Sequence, residues 1–269
     1  MTTTRIAIAG LGAIGRTLAA RIARGTIPGT VLTAVAARDE AKAKAWLAAE
    51  GIDVPIVALA DFPAHADLAV ECAPAAIIEE ICTPMLTAGK KVMVLSCGAL
   101  LPRPHLMELA KTHGGQIIVP TGALLGLDAV TAAAEGTIHS VRMITRKPPK
   151  GLVGAPYLVE KGLDMDAVKE PTLIFSGTAR EAAKGFPANV NVAVALSLAG
   201  IGPDRTTIDI WADPTVTRNC HAIEVDSDSA KLSLAIENIP SENPKTGRIT
   251  ALSVIAALRK LNAPVRVGT

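Results

Sequence analysis

Aromatic side chains are scarce in this chain: two Trp, one Tyr and three Phe among 269 residues. Base-stacking modules such as RRM sheets and single-strand grooves depend on exposed rings, so this scarcity argues against a nucleic-acid partner. A surplus of charge is also missing. Lys and Arg number 27 and Asp and Glu 25, a formal net charge of +2. That balance suits neither an electrostatic DNA binder nor a polybasic membrane anchor. No apolar run is long enough for a transmembrane helix. The N-terminus runs straight into strand-like residues, so no signal peptide is expected. The four cysteines, Cys72, Cys82, Cys97 and Cys220, form no CxxC pair. They are too sparse for a disulfide framework, and reduced thiols in a cytoplasmic protein are the expectation. No metal site is expected.

What the chain has is aliphatic substance. Hydrophobic residues make up 49%, enough for a sizeable core built from Ala, Val, Leu and Ile. The length suits one large domain or two modest ones. Residues 5–9 read as a short buried strand, and Ala13 to Arg24 as a helix with Ile14, Leu18 and Ile22 at helical spacing. Residues 30–37 read as a second buried strand, completing a βαβ unit. The alternation continues through a helix from Ala41 to Glu50, a strand over 67–72, a helix from Ala75 to Ala88 and a strand from Lys91 to Ser96. A helix from Pro104 to Thr112 and a short strand from Gln116 to Val119 follow. Such alternation predicts a parallel sheet covered on both faces.

The character changes after residue 122. Strands are predicted over 137–145 and Thr172 to Ser176, then an apolar helix from Ala188 to Gly200. Residues 206–211, 220–225 and 230–237 have strand patterning. The fold class is therefore α/β. A doubly wound Rossmann domain spans 1–122, and an α+β domain with a mostly antiparallel sheet spans 123–248. The last helix, 249–262, is expected to pack back on the first domain.

Gly10-Leu11-Gly12-Ala13-Ile14-Gly15 fits G-x-G-x-x-G between a strand and a helix. The first glycine permits the tight turn, the second lets backbone approach a pyrophosphate, and the third allows close helix–strand packing. The helix start then offers free N–H groups to phosphate. Cofactor choice turns on the end of the second strand, where an acid takes the ribose 2′-hydroxyl and an Arg accommodates a 2′-phosphate. Here Ala37-Arg38-Asp39 puts both within reach, so NAD or NADP is expected to bind.

A nicotinamide enzyme needs an acid–base group, for which His is the natural candidate. Of the five histidines, His65, His105 and His113 fall in loop or helix contexts and His139 begins a strand, while His221 shares its strand face with Ile223 and Val225 and should point toward the interior or a cleft. A satisfied core histidine is the plainer alternative. Asn189 and Asn191 stand at a helix start, where they either cap it or reach a ligand. Asn243, Lys245 and Thr246 occupy a Pro-containing loop, where turn formation is the default. Arg146 to Lys150 reads as a solvated basic loop, although a dicarboxylate would want such groups.

Several segments, in order, resemble L-aspartate dehydrogenases: the glycine loop, Ser-Cys-Gly-Ala-Leu at 96–100 and Pro-Thr-Gly-Ala-Leu-Leu-Gly-Leu-Asp at 120–128. Lys-Pro-Pro at 147–149, Phe-Pro-Ala-Asn-Val-Asn-Val-Ala at 186–193 and Ala-Asp-Pro at 212–214 follow. Asn-Cys-His at 219–221 and Asn-Pro-Lys-Thr-Gly at 243–247 complete the set. The resemblance implies a homodimer that oxidises L-aspartate with NAD or NADP to iminoaspartate. The imine then hydrolyses to oxaloacetate and ammonia or feeds NAD biosynthesis. It places His221 at the active-site histidine and Ala123 and Asn189 at cofactor contacts near the nicotinamide. Lys147, Asn191, Arg218 and Thr246 are the candidates for holding the substrate. Alternatives are a reductase of homoserine or dihydrodipicolinate type, and a non-catalytic dinucleotide sensor.

Overall fold

The computed structural model describes residues 3–240 and 247–269. The chain divides into two compact units, one running to Pro120 and including Ala251–Arg266, the other Thr121–Thr250 with Val267–Thr269.

The first unit alternates β1 (Thr4–Ala9), α1 (Ala13–Ala23), β2 (Thr30–Ala36), α2 (Glu40–Ala49) and α3 (Phe62–His65). It continues through β3 (Leu68–Glu71), α4 (Ile78–Thr87), β4 (Lys91–Val94), α5 (Pro104–His113) and β5 (Gln116–Ile118). The sheet order is β2-β1-β3-β4-β5, with every pair parallel. This is the Rossmann-like arrangement the alternation predicts. Strand parity divides its two faces. Ile6 and Ile8 pair in register with Leu68 and Val70, and that face shares a core with Leu18 and Ile22 of α1 and Leu47 of α2. Val254, Ile255 and Leu258 of the C-terminal helix, Arg248–Asn262, belong to the same cluster. Burying each such side chain contributes about 1.5–3 kcal/mol. The helix end is fastened by Asn262, whose side-chain amide donates to Thr4 Oγ1 at 3.1 Å and Gly29 O at 2.8 Å.

The second unit contains α6 (Leu127–Ala134), β6 (Ile138–Lys147), α7 (Pro156–Lys161), β7 (Thr172–Thr178), α8 (Ala179–Gly185) and α9 (Asn191–Ala199). Then come β8 (Thr206–Ala212), β9 (Asn219–Ser227) and β10 (Lys231–Asn238). The sheet order is β10-β9-β6-β8-β7. β6 and β8 are parallel and the other three pairs antiparallel, so the sheet is mixed and mostly antiparallel. One face buries Val141 and Met143, Ile208 and Ile210, and Ile223 and Val225, with Val130 of α6 and Val194 and Leu196 of α9 also buried. The other face is mixed: it carries Ile144, Trp211 and Leu173 together with Arg142, which bonds Asp209 at 2.6 Å, and Ser176, whose Oγ donates to Asp209 at 2.7 Å. α8 opens on a capping box between Thr178 and Glu181.

Most element ends shift by a residue or two, and the helices α3, α6, α7 and α8 were not expected from the sequence; three of the differences have a clear local reason. The strand expected over 91–96 stops at Val94, because the Leu95 and Ser96 N–H groups donate to the Glu71 carboxylate. The strand expected over 137–145 continues to Lys147. Arg146 and Lys147 pair with Trp211 and Ala212 of β8 instead of forming a solvated loop. The helix expected from Ala188 begins at Asn191. Val190 is its N-cap and no side chain caps it, so Asn189 is not a cap.

Candidate active site

The glycine loop lies immediately after β1. Gly10 has φ +98°, and a Cβ there would sit 2.6 Å from Cys72 O. A Cβ on Gly15 would sit 1.9 Å from Gly10 O. Both glycines are therefore demanded by the packing of the protein itself. Gly12 is different. Its φ is −74°, an ordinary value, and a Cβ there would meet no atom within 4 Å. The space beside Gly12 is open, and glycine keeps it open for a group approaching from outside. Gly12 is also the N-cap of α1 with no side-chain cap, and the first turn carries no acid. The N–H groups opening the helix at Ala13, Ile14 and Gly15 are thus suited to an anion. A dinucleotide pyrophosphate fits these features. Arg38, just beyond β2, is exposed. Asp39 spends one carboxylate oxygen capping α2, accepting from Lys42 N at 2.9 Å.

In the second unit, β6 and β9 bring three polar side chains onto the largely apolar core face. Thr145 is paired in register with His221, and Lys147 follows two residues later on the same side of β6. All three are buried, at 1%, 4% and 4% exposure. Thr145 Oγ1 and His221 Nδ1 are 3.2 Å apart. Lys147 Nζ donates to Asn189 Oδ1 at 3.1 Å. Among the described residues, no carboxylate pairs with Lys147. The nearby Asp213 is already committed, accepting from Arg146 at 3.0 Å and from Thr215 Oγ1 at 2.6 Å. Burial pushes the Lys147 ammonium down to about 8. Burial, assisted by the Lys147 charge, pushes His221 down to about 3. His221 is therefore neutral across the physiological range. A buried cation without a counter-ion costs stability, and such groups mark sites that await an anionic partner.

Asn189 owes its place to an aromatic support. The Asn189 N–H donates to Phe186 O at 2.8 Å. Phe186 packs against a tilted Tyr157 ring and edge-to-face with Phe175, at centroid distances of 5.3 and 5.6 Å. Half of the chain's six aromatic residues thus lie under this turn.

The structure brings His221, Lys147 and Asn189 together. Asn191 is the first residue of α9 and half-buried. Ala123 lies in a turn, its carbonyl accepting from Asn238 Nδ2 at 3.0 Å. Arg218 is paired with Glu237 at 3.9 Å and does not join the Lys147 cluster through any hydrogen bond. Asn243, Lys245 and Thr246 lie outside the described residues. Sequence reasoning missed two residues. Thr145 could have been found from its alternation with Met143 and Lys147. Glu71 could have been flagged as an acid inside a fully buried strand.

Residues 128–261 match the family described as aspartate dehydrogenase, C-terminal, and residues 10–120 match the NAD-binding domain of homoserine dehydrogenase. An L-aspartate dehydrogenase of Bordetella bronchiseptica is 62% identical, covering 98% of this chain and 97% of that protein. One from Bradyrhizobium diazoefficiens is 58% identical over 98% and 94%. Among solved structures, the aspartate dehydrogenase of Thermotoga maritima matches with a TM-score of 0.73 at 26% identity, covering 98% and 99% of the two chains. With the glycine loop, the buried Lys147–His221 cluster and these relatives taken together, the chain belongs to the L-aspartate dehydrogenase family.

Proposed function

We propose that this protein oxidises L-aspartate at its α-amine to iminoaspartate, reversibly and with NAD or NADP, the imine hydrolysing to oxaloacetate and ammonia. The observation that carries this reading is the buried Lys147 ammonium, unpaired with any carboxylate among the described residues and set beside a neutral histidine. A dicarboxylate amino acid is the complement of that arrangement.

NAD or NADP, when bound, supplies the acceptor for the hydride that leaves the substrate α-carbon. Gly10, Gly12, Ala13, Ile14 and Gly15 would hold its pyrophosphate, and Arg38 would meet a 2′-phosphate. We assign Ala123 and Asn189 to its nicotinamide end, following the family. The remaining work falls to side chains of the second unit. Lys147 holds a substrate carboxylate as a point charge, with Asn191, Arg218 and Thr246 as further candidates. Its bond to Asn189 Oδ1 fixes that amide, so the Asn189 NH₂ is the group left to donate elsewhere. His221 is the base. In the tautomer with its proton on Nδ1, the ring donates to Thr145 Oγ1 and Nε2 presents a lone pair. That lone pair takes the proton of the substrate ammonium, freeing the nitrogen electrons that expel hydride. A substrate carboxylate on Lys147 cancels part of the field that depresses His221, so the base strengthens when substrate arrives.

We also propose a cytoplasmic homodimer that feeds NAD biosynthesis. The outward sheet face, with Leu173 exposed and Ile144 and Trp211 half-buried, offers surface for a second copy. Reductases of homoserine or dihydrodipicolinate type are not favoured, because the match over 128–261 is to aspartate dehydrogenase. A silent dinucleotide sensor would have no use for the Lys147–His221 cluster. Absorbance at the reduced-nicotinamide band decides the matter. Turnover with L-aspartate, and in reverse with oxaloacetate and ammonia, is expected. Silence with these but turnover of L-homoserine or L-glutamate would defeat the proposal.

A further inference from the structure

The first unit contains a buried acid that the chemistry above does not use. Glu71 ends β3, has no exposed surface and pairs with no cation among the described residues. Four donors converge on it. Oε2 accepts from Leu95 N at 3.0 Å and Ser96 N at 2.8 Å, and Oε1 accepts from Ala73 N at 3.1 Å and Ser96 Oγ at 3.2 Å. The carboxylate therefore ties together the segments that leave β3 and β4.

Their location gives the tie a purpose. In the order β2-β1-β3-β4-β5 the winding reverses between β1 and β3. Ligands of open parallel sheets bind beyond the carboxyl ends of the strands at that reversal. Gly10 follows β1 there, and its backbone packs so closely on residues 72–73 that a Cβ would fall 2.6 Å from Cys72 O and 3.1 Å from Ala73 Cα. Cys72 N also donates to Ala9 O at 2.8 Å. The segment anchored through Ala73 is thus the floor under the glycine turn. On the other side, Ser96 is the N-cap of the 3-10 turn Cys97–Leu100.

We propose that Glu71 is a positioning residue for the dinucleotide, its carboxylate clamping residues 72–73 and 95–96 so that the glycine turn keeps its seat. This rests on the reading of the first unit as the NAD(P)-binding one. The clamp needs a carboxylate. An amide of the same shape has a single acceptor oxygen. Turned toward Leu95 and Ser96, it sets its NH₂ against the Ala73 N–H. Turned the other way, it faces two N–H groups. Either way a buried donor is left unmatched.

The test titrates cofactor-free full-length protein with NADH and NADPH by nicotinamide fluorescence, and follows backbone hydrogen exchange and melting temperature alongside. Glu71→Gln should bind NADH about tenfold more weakly, the effect of one unmatched buried N–H. Exchange should rise at 72–73 and 95–96 while the rest of the chain keeps its protection. The KM for L-aspartate at saturating cofactor should stay near wild type. Ser96→Ala removes one donor of the four, and should weaken NADH binding about two- to threefold. A folded Glu71→Gln with wild-type NADH affinity overturns the proposal, as does a loss spread evenly over exchange, melting and aspartate KM. Should Glu71→Gln not fold, unchanged affinity in Ser96→Ala overturns it. Wild-type protein that binds neither NADH nor NADPH would instead remove the reading of the first unit on which the proposal stands.

Discussion

Replacing Lys147 with Met should make the cofactor-free protein more stable and the enzyme far worse. The reason lies in the proton. The folded state releases it near pH 8, against an ordinary value of 10.5 for lysine. At pH 7 the native state bears the cost of a buried ammonium, and the 2.5-unit difference corresponds to about 3 kcal/mol. Met has a similar length and no charge. Against this gain stands the lost bond to Asn189, worth about 1 kcal/mol or somewhat more because its carbonyl is left unmatched. The net expectation is a stabilisation of about 1–2 kcal/mol at pH 7. The sign of the pH dependence follows from the same proton. Between pH 8 and 10.5 the unfolded chain holds it and the folded chain does not, so wild-type stability rises with pH across that window. The advantage of the variant should shrink correspondingly. Urea denaturation of both proteins at pH 7 and pH 10 measures the difference, and steady-state kinetics should show the aspartate KM raised roughly 10- to 100-fold. A variant less stable than wild type at pH 7, or an advantage of equal size at both pH values, would refute the argument.

Four further outcomes follow from the same geometry. His221→Ala should lower kcat by about 10²–10⁴ if the ring is the general base, and a near wild-type rate of reduced-nicotinamide formation would remove it from the mechanism. The folded protein holds His221 near 3, far below its ordinary 6.5. Stability should therefore fall as pH drops from 6.5 toward 3, by about 2 kcal/mol between pH 7 and pH 5; His221→Gln should lose that part of the acid sensitivity in the same denaturation assay. Arg38→Ala should raise the KM for NADP while leaving that for NAD near wild type, and an equal rise for both would show that Arg38 does not read the 2′-phosphate. Gly12→Ala and Gly15→Ala should separate binding from folding. The first places a methyl in open space, so it should weaken NADH binding without lowering the melting temperature by more than a few degrees. The second drives a methyl into Gly10 O and should lower the melting temperature sharply.

Much of the architecture was written in local patterns. Continuous apolar runs mark β1 and β2 and helical spacing marks α1, because a strand buried on both faces admits few polar residues and an amphipathic helix imposes a repeat on nearby residues. The glycine loop is equally local, its turn, phosphate seat and helix start lying within six consecutive positions. His221 was legible as a candidate since its face is shared with Ile223 and Val225 on its own strand. What the sequence could not decide is which polar groups meet across the chain. Lys147 reads as part of a basic loop until β8 pairs with Arg146 and Lys147 and carries them into the sheet. Only then does the ammonium lose its water and its choice of partners, and the histidine opposite Thr145 feel its charge. Glu71 reads as one acid in an apolar strand, and Leu95 and Ser96 as the end of another. The parallel pairing of β3 with β4 puts their ends side by side, and the carboxylate takes the backbone donors that no further strand pairing satisfies. Sequence determined the elements, because their signals are carried by neighbours along the chain. Tertiary structure decided burial and partnership, because solvation and charge depend on residues 24 to 76 positions apart.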